Sequence, residues 1–111
     1  MKSNDALAAL SALSQETRLA IFRRLVRRGP AGETAGALAD VLATPAPTLS
    51  FHLKELERAG LIAQRRDSRN LIYTARFDRM RALLSFLMKD CCGGRPEICN
   101  LPIRESCCDD A

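Results

Sequence analysis

At 111 residues, 47% hydrophobic and 27% charged, the chain has the length of one domain and the composition of a folded globular protein, which excludes a two-domain enzyme and a disordered polymer. Its charge is uneven: residues 1–89 carry 15 Lys/Arg against 8 Asp/Glu, whereas residues 90–111 carry 2 against 5 and hold all five cysteines. No apolar run reaches the roughly 20 residues that span a bilayer, and the opening MKSNDALAALSALSQ is too polar for a signal peptide, so no membrane partner and a cytoplasmic location with reduced thiols are expected.

Ala6, Leu7, Leu10 and Leu13 recur at helical spacing and predict a short first helix. Ser14 reads as the N-cap of a second, with Glu16 in its first turn, Leu19, Phe22, Leu25 and Val26 on its apolar side, and Gly29-Pro30 as its stop. Arg23, Arg24, Arg27 and Arg28 complement the dipole of its last two turns and otherwise read as a solvated basic face. Thr34 caps a third short helix whose apolar side is Ala35, Leu38, Val41 and Leu42. With Thr44 as N-cap and Pro45 as first helical residue, a fourth helix runs to about Ala59, and Gly60 is its C-terminal glycine. Two short helices joined in this way form a helix-turn-helix pattern.

Beyond Gly60 the period becomes alternating. Residues 61–66 and 71–75 flank the turn-rich Asp67-Ser68-Arg69-Asn70 and predict a β-hairpin with a charged tip. Phe77, Met80, Leu83, Leu84, Leu87 and Met88 mark a fifth helix to about Asp90. Its apolar content, like that of the first helix, is too broad for one small core, so both are expected at a homodimer interface. The fold class is mainly α with a β-hairpin, a winged helix-turn-helix over residues 1–90, followed by a cysteine-rich tail over residues 91–111 without helical or strand period.

On the fourth helix Leu49, Leu53 and Leu56 share an inward face. Pro47, Thr48, Phe51, Lys54 and Arg58 project the other way, with Ser50 and His52 on the flanks. Small hydroxyls suit phosphates or base edges, Phe51 a thymine methyl and Lys54 a phosphate, while Arg65, Arg66 and Arg69 at the hairpin tip suit the adjacent backbone or minor groove. Each piece also has an inert reading: Phe51 as a protein contact, the arginines as solvated, His52 as a partly buried histidine with its hydrogen bonds satisfied. Their conjunction in this order favours a DNA reader.

The runs LSALSQETRLAIFRRL and LADVLATPAPTLSFHLKELERAGLI, with a charged hairpin ending in IY, resemble the ArsR family of small metalloregulatory repressors over residues 4–90, most specifically in TLSFHLKELERAGL. The resemblance implies a homodimer through the first and fifth helices, bound to an operator that is an imperfect inverted repeat of double-stranded DNA. It further implies that the apo protein represses and that bound metal releases the DNA. By motif position it puts Thr48, Ser50, Phe51, His52 and Lys54 on the DNA, with Arg65, Arg66 and Arg69 on the wing.

Sensor sites differ within that family. Many relatives hold arsenic on a cysteine pair in the third helix, which here reads LADVLA. Zinc and nickel sensors use Asp and His on the fifth helix, yet the single histidine is His52 on the fourth. There remain Cys91 and Cys92 with Cys99, similar to arsenite-responsive members with a cysteine pair and a further cysteine just after the fifth helix. Three thiolates suit the trigonal pyramid of As(III) or Sb(III), and Gly93-Gly94 and Pro96 ease the fold-back between Cys92 and Cys99. The inducer expected is therefore As(III) or Sb(III), with no organic cofactor. Cys107 and Cys108 stay open as a second site, a substitute ligand or neither. The alternatives are a cadmium-, zinc- or redox-sensing repressor of the same fold and, from a different class, a thiol-dependent enzyme. Against the enzyme stand the lack of CxxC, of a histidine near any cysteine in sequence, and of a phosphate-cradling glycine loop.

Overall fold

The computed structural model describes residues 1–89 and orders them as α1 (Ser3–Leu13), α2 (Glu16–Arg28), a 3-10 turn (Gly29–Ala31), β1 (Glu33–Thr34), α3 (Ala35–Val41), α4 (Ala46–Arg58), β2 (Ile62–Asp67), β3 (Asn70–Ala75) and α5 (Phe77–Met88). This is the expected winged helix-turn-helix with one addition. β1 pairs antiparallel with β3 on the side away from β2, so the hairpin becomes a three-stranded sheet of order β1-β3-β2. A strand of two residues shows no period, which is why this stretch reads as loop in the sequence.

The core is built on α2, α3 and α4. Ile21, Leu25, Leu38, Leu49, Leu53, Leu56 and the linker residue Leu61 are the largest fully buried side chains. α1 packs on α2 and α4 through small residues: Ala6, Ala9 and Ala12 are buried, whereas Leu7 is 64% and Leu10 40% exposed. Leu7 and Leu10, which mark the helix in sequence, thus face outward, Leu13 packs partly against the core, and the alanines admit the close helix approach. Val41, expected on the apolar side of α3, is exposed, because this short helix commits only Leu38 fully to the core.

Two N-caps differ from expectation. Ser14 closes α1, its hydroxyl donating to the Ser11 carbonyl, and Gln15 caps α2 by accepting from the Arg18 amide. Thr44 likewise closes the preceding helix, so Pro45 becomes the N-cap of α4 and Ala46 its first residue. The Thr44 amide donates to the Ala39 carbonyl and the Ala43 amide to the Asp40 carbonyl, the paired bonds of a Schellman ending. Such an ending needs a left-handed residue, and Ala43 supplies it at φ +50° without being glycine. α4 ends the same way, with Gly60 at φ +80°. Ala43→Gly is therefore expected to raise stability by about 1 kcal/mol, read as a higher urea midpoint at unchanged slope. Thr34 caps α3 as expected, accepting from the Ala37 amide.

The basic end of α2 is only partly a solvated face. Arg24 grips Glu33 of β1 bidentately at 2.7 and 2.8 Å, and Arg28 donates to the Gly32 carbonyl while approaching Glu33 at 3.9 Å. The hydrogen bonds from Arg24, reinforced by the nearby positive charges, hold the Glu33 carboxyl below the usual carboxylate range against the opposing effect of burial. A depressed folded pKa means the pair stabilises fully above the unfolded value and is lost as pH falls through the folded one. Below about pH 5 the wild type is expected to lose urea resistance more steeply than Glu33→Gln, in comparisons from about pH 7 to about pH 3.

Candidate nucleic-acid interface

α3 and α4 form the helix-turn-helix, and the buried row Leu49, Leu53 and Leu56 seats α4 on the core. Thr48, Ser50, Phe51 and Lys54 consequently stand exposed along its free side, with Phe51 57% exposed. His52 does not join them. It lies three residues after Leu49 and four before Leu56, hence on the buried stripe, and is 8% exposed. Its Nδ1 is 3.1 Å from the Arg18 guanidinium of α2, and Arg18 Nε donates to the Ala12 carbonyl of α1 at 2.7 Å. Burial first, and the Arg18 charge second, push the His52 pKa below the ordinary imidazole value, with Glu55 opposing. The His52 ring meets Phe51 edge-on, centroids 5.5 Å apart. Arg58, expected to project outward, is exposed but paired with Glu55 at 2.8 Å.

The wing arginines divide in two. Arg66 and Arg69 are exposed and enter no ion pair among the described residues. Arg65 is also exposed, yet its guanidinium donates to the carbonyls of Pro30 at 2.9 Å and Ala31 at 3.4 Å. Strand alternation explains the split: Arg65 pairs opposite Ile72 and Arg66 opposite Leu71, so successive side chains take opposite faces. The tip turns on Ser68 at φ +61°. A hydrogen bond from Gln64 of β2 to Glu57 of α4, 3.0 Å long, ties the wing to the reading helix. The Arg65 contacts, like Arg18 to His52, join residues distant along the chain, and no sequence period signals them.

On the remaining surface, Leu7 and Leu10 of α1 and Leu87 of α5 stand exposed on two helices that pack together. No cluster of metal-ligating side chains occurs among the described residues, and Cys91, Cys92 and Cys99, with Cys107 and Cys108, lie outside them. No helix among the described residues is long and apolar enough to cross a membrane.

The family model described as "Helix-turn-helix domain" matches residues 13–65. The chain is 39% identical over 88 residues, 75% of its own length and 84% of the relative's, to the uncharacterized HTH-type transcriptional regulator YceK of Bacillus subtilis. It is 30% identical over 90 residues to the HTH-type transcriptional regulator YgaV of Escherichia coli, covering 81% of this chain and 89% of the relative. Among solved structures, an ArsR-like transcriptional regulator from Rhodococcus sp. RHA1 superposes with a TM-score of 0.70 at 27% identity over 78% of each chain. Reduced HlyU from Vibrio cholerae follows with a TM-score of 0.63 at 29% identity, over 81% of this chain and 92% of that one. The exposed reading helix and basic wing on a buried scaffold shared with these regulators make the conclusion plain: the chain belongs to the ArsR family of winged helix-turn-helix, DNA-binding transcriptional regulators.

Proposed function

We propose that the chain is a homodimeric repressor that binds an imperfect inverted-repeat operator and leaves it when As(III) or Sb(III) binds the thiolates of Cys91, Cys92 and Cys99. The observation that carries this reading is the adjacency of an apolar helix face and thiols. α5 packs beside α1, shares with it the exposed leucines Leu7, Leu10 and Leu87, and ends at Met88, three residues before Cys91. Pairing these faces between two copies buries the leucines and fixes the separation of the two α4 helices. Each thiol that ligates arsenous acid gives its proton to an arsenic-bound hydroxide as the As–S bond forms, releasing one water. Ligation next to α5 then selects a dimer arrangement with mis-spaced reading helices; the metalloid need only bind that arrangement better.

Arsenite is expected to weaken operator binding by the reduced wild type by roughly 5- to 150-fold in a gel shift. Cys91→Ser, Cys92→Ser and Cys99→Ser proteins should still bind DNA but ignore arsenite, while Cys107→Ser and Cys108→Ser proteins respond normally. Loss of response confined to the latter two would move the site down the tail. A second reading is a thiol redox sensor of the same fold, favoured by the adjacent thiols of Cys91 and Cys92 and by a solved relative described as reduced HlyU. Release by peroxide but not by arsenite or antimonite decides for it; release by cadmium or zinc alone decides for a four-thiolate site.

A further inference from the structure

We propose that Arg18 is a positioning residue for the DNA-reading helix, bolting α4 to the end of α1 through a hydrogen bond that only a neutral His52 can accept. A guanidinium has donors and no acceptor. The 3.1 Å contact between Arg18 Nη1 and His52 Nδ1 therefore requires a lone pair on Nδ1, which puts the ring proton on Nε2. The same guanidinium donates through Nε to the Ala12 carbonyl at 2.7 Å. Ala12 lies in the last turn of α1, where carbonyls lack an intrahelical partner, and a cation there also answers the helix dipole. One side chain of α2 thus joins the C-terminal end of α1 to the middle of α4.

The reading row is built around this joint. His52 follows Phe51 directly and contacts its ring, and Ser50 and Lys54 are two residues to either side. Arg18 itself is on the far side of α4 from the exposed row, so its effect on DNA passes through His52. Adding a proton to Nδ1 turns the acceptor into a donor and sets two cations against each other, and the contact must open. The charged groups facing this site are Arg18 from α2 and Glu55 from α4 itself; the adjoining cleft adds Arg58 of α4, already paired with Glu55, and only uncharged Ala8, Ser11 and Ala12 from α1. Opening the joint frees α4 from the guanidinium that ties it to α2 and the end of α1, so DNA binding is expected to weaken in mild acid ahead of loss of the fold.

The inference rests on α4 being the DNA-reading helix, and the test separates the two. The reduced full chain is titrated by fluorescence anisotropy onto a duplex selected from a random pool, from about pH 8 to about pH 5.5. Wild-type affinity should be level down through the ordinary imidazole pKa and fall about tenfold in the more acidic range where buried His52 takes up a proton, as breaking the charge-assisted hydrogen bond implies. His52→Asn keeps an acceptor for Arg18 but cannot titrate, so whatever affinity it has at neutral pH should stay level in acid. Arg18→Met should bind about tenfold more weakly at neutral pH with an unchanged circular dichroism spectrum, and Arg18→Lys should recover part of that loss. His52 is the chain's one histidine, so its nitrogen NMR signals are unambiguous and should show the Nε2–H tautomer at neutral pH. An Arg18→Met protein with wild-type affinity, a His52→Asn protein with the wild-type acid loss, or an Nδ1–H tautomer would overturn the proposal. Should Arg18→Met not fold, the tautomer and the His52→Asn profile still decide. A wild type that binds no selected duplex at any pH removes the DNA reading first, and the positioning role with it.

Discussion

Gly32→Ala is expected to destabilise the protein by about 3 kcal/mol or more and to lower its Tm by more than about 10 °C. Two costs add at this position. Gly32 has φ +65°, where an L side chain is strained, and a Cβ built there runs into the Tyr73 carbonyl oxygen and meets the Ile72 and Thr74 side chains at 2.7 Å. The nearest of these obstacles is backbone of β3, so relief means parting β1 from β3. That movement also disturbs the Arg24–Glu33 pair and the Arg28 bond to the Gly32 carbonyl. The same substitution at exposed Gly36 within α3 meets nothing within 4 Å and should instead stabilise by roughly 0.5–1 kcal/mol. Opposite signs in paired thermal melts are the expected result; a Gly32→Ala protein as stable as wild type would contradict the β1–β3 pairing.

Replacing Lys54, Arg66 and Arg69 together by alanine is expected to weaken DNA binding near physiological salt on the order of 10³-fold. All three are exposed and, among the described residues, enter no ion pair, so their charge is free for phosphate. Removing one phosphate-neutralising cation should flatten the slope of log affinity against log salt by about 0.9, or roughly 5 when all three go from both protomers of a dimer. Arg65→Ala serves as the comparison. Strand alternation turns its guanidinium to the other face of the wing, where the Pro30 and Ala31 carbonyls hold it, so its removal should cost stability and change the salt slope less than Arg66→Ala does. Equal slope changes for Arg65→Ala and Arg66→Ala in anisotropy titrations would put Arg65 on DNA beside Arg66 and contradict that division.

That division marks where reading from sequence stops. Helical spacing locates all five helices, and alternation locates the hairpin, because both periods are properties of neighbouring residues. The buried row Leu49, Leu53 and Leu56 is legible for the same reason, and with it the exposed Thr48, Ser50, Phe51 and Lys54. His52 follows from the same spacing once Leu49 and Leu56 are taken as core, but its partner Arg18 is 34 residues away and has no local signature. Arg65 and Arg66 look alike in sequence; only the 3-10 turn brought beside the wing by β1 separates their roles. Ala43 gives no sign of being a helix stop, because a left-handed ending is normally announced by glycine or asparagine. The cysteines are prominent in composition, but the described residues end before them.

The strand order β1-β3-β2 also bears on how copies of this protein behave when crowded. A sheet has two borders, and each is an invitation to add another chain's strand. Here one border is β1, two residues long and turned directly into α3, and the other is β2, which carries Gln64, Arg65 and Arg66. Two wings brought border to border set arginine against arginine along β2 and find almost no backbone to pair along β1. The positive wing is in this sense a self-avoiding edge: charge that suits a polyanion also keeps the sheet from growing into an aggregate.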